Sequence, residues 1–149
     1  MKPAIALAAI LLLAAASLGV HAMPGAGAAA SPHGSAPAAA PVKKVAKATG
    51  PNARTVAEVV GGKATLKDKP VLVRAQVVKV TTGVMGKNWV HLQDGSGKAA
   101  DGTHDVLATT KDTVAVGDVL NAKGTVRTDV NIGSGYAYAV LIEDAAFSK

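Results

Sequence analysis

A chain of 149 residues without cysteine has room for one modest domain. It excludes disulfide staples, thiolate metal sites, a lipidated cysteine and covalent c-type haem attachment. The formal charge of +6 overstates the folded part: from Arg54 onward 12 Lys and Arg stand against 10 Asp and Glu, a net +2, which is weak support for a nucleic-acid-binding face.

Lys2 precedes an apolar run over 4–20, and Val20-His21-Ala22 places small residues at −3 and −1. This pattern predicts a signal peptide over 1–22, cleaved after Ala22, and a periplasmic protein. The run is Ala-rich and ends at a small-residue site, which favours cleavage over a retained anchor and leaves no membrane span. Residues 23–53 are mostly Ala, Gly, Pro and Ser, with Lys43, Lys44 and Lys47 clustered near the end. Such a stretch buries too little apolar surface to offset its ordering entropy, so it predicts a disordered linker. Its lysines solubilise the tail or touch an anionic membrane surface.

The domain is expected over 54–149. Thr55 and Glu58 have capping-box spacing, and Gly61-Gly62 supplies a stop, so 55–60 predicts a short helix or turn. Residues 71–80 form a first strand, with Val71, Val73, Ala75 and Val77 on one face. The period slips at Val77-Val78, which predicts a bulge. A loop over 81–86 leads to a second strand over 87–94, with Val90 and Leu92 on one face and Trp89, His91 and Gln93 on the other. Strands follow over 104–110, 119–128 and 136–142, with Gly124 marking a bend inside the fourth. Five strands with short connections predict an all-β, five-stranded OB-fold-like barrel, with an SH3-like barrel as the competing closure.

The chemical motifs fail one by one. Gly95-Ser-Gly97-Lys98 lacks the Ser or Thr and the helix of a phosphate loop, and it reads as a turn. The oxygens of Asp94, Ser96 and Asp101 lack an acidic closing residue for calcium. No nucleophile elbow is present, and Asp94 is expected to accept hydrogen bonds within its own turn. His91 with Met85 offers a copper-type donor pair, with His104 the other imidazole outside the signal peptide and linker, but exposed polar histidines are the commoner reading. No cofactor and no catalytic residue is expected.

The remaining feature is an aromatic face. Outward Trp89 and His91, with Tyr136 and Tyr138 on the fifth strand, form a binding surface for which Arg74, Lys79, Lys87 and Arg127 supply charge. The competing reading has Trp89 packed under the 83–86 loop and the 55–60 segment as a plug, which suits a domain poor in aromatics.

Taken in order, Thr55-Val-Ala-Glu-Val-Val60, Leu66-Lys-Asp-Lys-Pro-Val71, Val84-Met-Gly-Lys-Asn-Trp-Val-His-Leu-Gln-Asp-Gly-Ser-Gly97, Asp105-Val-Leu-Ala-Thr-Thr110 and Gly135-Tyr-Ala-Tyr138 resemble small exported bacterial OB-fold proteins. These are often labelled DNA-binding, and some occur beside c-type cytochrome nitrite reductases. The likeness covers 54–145 and departs from the pattern at Gly61-Gly62 and over 98–103. It implies the OB fold and a non-enzymatic periplasmic accessory role, with a protein partner such as a redox enzyme. The expected contact residues are Met85, Lys87, Asn88, Trp89 and His91, then Tyr136 and Tyr138. Single-stranded nucleic-acid or nucleotide binding and copper binding are the alternatives.

Overall fold

The computed structural model describes residues 42–149, so the signal peptide and most of the linker lie outside the described residues. The elements are β1 (Ala53–Arg54), α1 (Val56–Gly61), α2 (Lys63–Leu66), β2 (Pro70–Val84), β3 (Lys87–Gln93), β4 (Val106–Thr110), β5 (Val119–Gly133) and β6 (Tyr136–Ser148). A single 3-10 turn over Ala99–Asp101 occupies the 98–103 departure.

The chain is mostly β. Among the described residues six strands form one sheet in the order β1-β2-β3-β4-β6-β5, and β2 also pairs with β5. The hydrogen bonding therefore runs in a ring, with β1 as a two-residue parallel addition to β2. All five predicted strands are present. The sixth, β1, is too short to leave a period in the sequence. Along the ring the neighbours are antiparallel except for β4 and β6, which run parallel through Leu107 and Ala108.

Strand parity sets the interior. Val71, Val73, Ala75 and Val77 of β2 are buried, as are Val90 and Leu92 of β3. They meet Val106, Ala108, Leu120, Ala122, Val126 and Ile142. The expected bulge lies between Val77 and Lys79, and beyond it Val80 packs against the same core. At Gly124 the β5–β6 register shifts, and a Cβ there would lie 2.6 Å from the Ile142 side chain and 2.7 Å from the Glu143 carbonyl. Glycine is required because the two strands approach too closely for any side chain.

α1 closes the core from one side. Thr55 caps it, its hydroxyl accepting from the Glu58 N–H at 3.2 Å while the Glu58 carboxylate accepts from the Thr55 N–H at 2.7 Å. Val56 and Val59 are fully buried against the sheet interior. Six residues cannot hold a helix alone, so this packing maintains it.

The linker expectation requires correction over residues 42–53. The Val45 N–H donates to the Asp94 carbonyl at 2.9 Å, Lys47 pairs with Glu58 at 2.8 Å, and Ala53 is buried. The Lys47 bond and the Thr55 N–H hold the Glu58 carboxyl below its usual range. Composition missed this docking because the stretch adds few apolar side chains of its own. It is held by backbone bonds and one ion pair.

Asp94 joins these parts. It is 2 % exposed. One carboxylate oxygen accepts from the Val56 N–H at 2.9 Å, and the other accepts from the N–H and hydroxyl of Ser96. The Ser96 hydroxyl oxygen in turn accepts from the Ala57 N–H at 3.0 Å. The turn role expected of Asp94 is present, and the bond to α1 adds to it. Asp94→Ala leaves the buried Val56 N–H without its acceptor, so a loss of about 2–3 kcal/mol is expected. Urea unfolding followed by circular dichroism measures it; an unchanged midpoint would show that the carboxylate is dispensable.

Candidate functional site

The outer face of β3 carries the site. Trp89 and His91 alternate with the inward Val90 and Leu92, so one strand feeds both the core and the opposite surface. Thr81 and Lys79 of β2 stand across from Trp89 and His91, and Leu107 of β4 stands across from His91.

Trp89 is neither of the two things the sequence suggested. It is only 7 % exposed, so it is not a bare platform. Nor does it plug the interior, a position that α1 fills with Val56 and Val59. It belongs to a second apolar cluster with Leu107 and Leu141, against which Val130, Ile132 and Tyr138 pack. The plug reading was right in one respect, since the indole N–H donates to the carbonyl of Val84 beside the first loop at 2.9 Å. Trp89 and Tyr138 have ring centroids 5.3 Å apart at 35°, a contact worth about 0.5–1.5 kcal/mol beyond area burial.

Two long hairpins extend this surface. Both turn through two residues of positive φ, Met85-Gly86 between β2 and β3 and Ser134-Gly135 between β5 and β6. Such turns match the twist of paired strands. Between the hairpins lies a groove of about 330 Å³. Trp89, Tyr138, Tyr136 and Ile132 form its apolar side, while Lys79 and His91 bring polar groups. Burial pushes the Tyr138 hydroxyl up, helped by Tyr136 beside it.

The structure thus brings together Trp89, His91, Tyr136 and Tyr138. Met85 and Lys87 line a neighbouring depression of about 150 Å³ that shares Trp89 and Ile132 with the groove. Lys87 is ion-paired to Asp144 at 2.7 Å. Asn88 acts on backbone, donating to the Asp112 carbonyl at 3.0 Å and accepting from Gly83. Sequence reasoning missed Ile132, Leu107 and Val84 as lining residues. The parity of Ile132 with Val130 on β5 was the available signal, but the strand was expected to end at 128.

His91 is held in place. Its Nδ1 lies 2.7 Å from an Asp105 carboxylate oxygen, and Gln93 donates to the other at 3.0 Å. Burial works to raise the Asp105 pKa, but the His91 bond and charge outweigh it, with Gln93 and His104 adding, so the carboxyl lies below its usual range. Met85 and His91 line different depressions, and among the described residues no three His, Asp or Glu side chains gather around a metal position. Comparison with protein-family models, curated proteins and solved structures found no match.

Because the folded pKa of Asp105 is depressed, its contribution to stability is present above the unfolded value near about 4 and is lost as pH falls through the folded value. Asp105→Asn is therefore expected to be less stable than the parent at neutral pH, with the gap closing in acid. Chemical denaturation across pH measures the gap; one that is constant down to the lowest pH would contradict the assignment.

Proposed function

We propose that this chain is a non-enzymatic exported binding module with an OB-fold barrel. The ring order supports the fold reading: five strands in succession, the third parallel to the fifth and the first closing on the fourth, follow an OB connection rather than a simple meander. The exported location rests on the signal-peptide pattern of residues 1–22. Among the described residues no helix is long and apolar enough to cross a membrane.

One observation carries the function. An apolar groove with polar groups on one side lies between two protruding hairpins, on the face where OB-folds take ligands. Its rim is apolar as well: Val84, Met85 and Tyr136, all near the hairpin tips, are among the exposed large hydrophobic residues. Exposed apolar side chains around a depression mark a protein contact. The groups that sequence would nominate for chemistry are engaged in holding structure, His91 by Asp105 and Asp94 by α1 and its turn. The partner is a protein of the same compartment, and the family resemblance points to a redox enzyme of the nitrite-reductase type.

A nucleic-acid ligand finds less support. Of the four cations expected to serve it, Lys87 is paired with Asp144, and Arg127 with both Asp68 and Glu143. Trp89 is covered by its own cluster rather than open for stacking.

A photo-crosslinking amino acid at Val84, on the groove, is expected to trap a protein in periplasmic extract. The same group at Val116, exposed but away from the groove, is expected to trap none. Equal adducts from both positions, or none from Val84, would contradict the reading. Intact-mass measurement of the exported protein should give a chain beginning at Met23; a mass that includes residues 1–22 would contradict cleavage.

A further inference from the structure

We propose that the groove is a socket for an extended acidic segment of the partner, with an apolar side chain against the wall of Tyr136, Tyr138 and Ile132 and a carboxylate paired to Lys79. This rests on the binding reading above and names the chemistry of the occupant.

Among the described residues only two lysines are half-buried rather than exposed, Lys79 and Lys87. Lys87 has a carboxylate at 2.7 Å. Lys79 has none: it takes part in no ion pair of the described residues, although it lines the groove. Lys79 therefore brings a cation without an anion of its own to the edge of an apolar groove, and a carboxylate arriving beside it meets no competing partner there.

The rest of the groove specifies what must accompany that charge. The Trp89 indole N–H is already bonded to Val84 and the ring is largely covered, so it sits behind the groove wall rather than forming its open face. Tyr138, Leu107 and Ile132 continue that wall. A volume of about 330 Å³ stands at the lower end of the range for ligand pockets, about 300–1,000 Å³, which suits a side chain and its neighbour rather than a large cofactor.

The count of cations separates a carboxylate from a phosphate backbone. His91 faces the groove with an Asp105 carboxylate oxygen 2.7 Å from its Nδ1. Lys87 and Arg127 are neutralised by their own carboxylates. Among the described residues Lys79 is the one Lys or Arg lining the groove, and beside an apolar wall it matches one acidic side chain next to an apolar one, while Arg74, also without an ion pair, lies outside the groove. A nucleic-acid strand would need several.

The test is a nitrogen-15 NMR titration of the mature protein with two blocked tetrapeptides, acetyl-Gly-Phe-Asp-Gly-amide and its Asn counterpart. The acidic peptide is expected to shift the Trp89 indole signal and to bind about fivefold more tightly than the neutral one. Lys79→Met, which keeps the apolar stem, should abolish that preference, and Lys79→Arg should retain it. Equal binding of both peptides, or a preference that survives Lys79→Met, would overturn the acidic socket while leaving a groove that binds. Absence of any shift with either peptide would also overturn it, and crosslinking at Val84 then judges the wider reading independently. Tighter, steeply salt-dependent binding of an oligothymidylate at the same signals would replace it with a nucleic-acid site.

Discussion

A buried carboxylate organises this fold. Asp94 ends β3, starts the glycine-rich turn and accepts from the first turn of α1, while its own carbonyl receives the N-terminal segment through Val45. Burying a carboxylate is costly unless donors surround it. Here the donors are the Val56 N–H, the Ser96 N–H and the Ser96 hydroxyl, which come from two separate pieces of chain. Satisfying Asp94 therefore requires α1 to sit over the core, and Val56 and Val59 then fill the position that the sequence had offered to Trp89.

That exchange explains the outer face. With α1 closing the interior, the large ring on β3 is free to project the other way. Period-two alternation leaves it no other choice once Val90 and Leu92 point inward. An indole on an exposed sheet face would be a liability. The β5–β6 hairpin covers it with Val130, Ile132 and Tyr138, producing a small second cluster. The groove is what remains between that cover and the β2–β3 hairpin. Cluster and groove thus share side chains, since Trp89 and Ile132 serve the cluster and line the groove at once.

Much of this was legible in the residues, and what was missed has physical causes. Alternation in β2 and β3 identified the buried faces, and the slip at Val77-Val78 marked a real bulge, because both reflect burial of individual side chains. The Thr55 capping box and the Gly124 bend were readable for the same reason: each is a local steric or hydrogen-bonding requirement. The covering of Trp89 was not, because it depends on Val130, Ile132 and Tyr138, which lie 41 to 49 residues further along the chain. The docking of residues 42–53 left no compositional trace, since backbone groups carry it. Among the candidate residues, strand parity paired Trp89 with His91 and Tyr136 with Tyr138, and these four do line one groove. Asn88 was nominated as a contact residue beside the first loop, and its amide bonds to backbone.

The central claim is that Trp89 lies in an outer cluster covered by Tyr138 and separate from the core. The single tryptophan makes its fluorescence an unambiguous reporter. Acrylamide quenching of Tyr138→Ala against the parent tests the claim most directly. The account predicts weak quenching in the parent, and in the variant a quenching constant raised about severalfold with the circular dichroism of the sheet unchanged. Equal quenching in the two proteins would place Trp89 elsewhere and contradict the account.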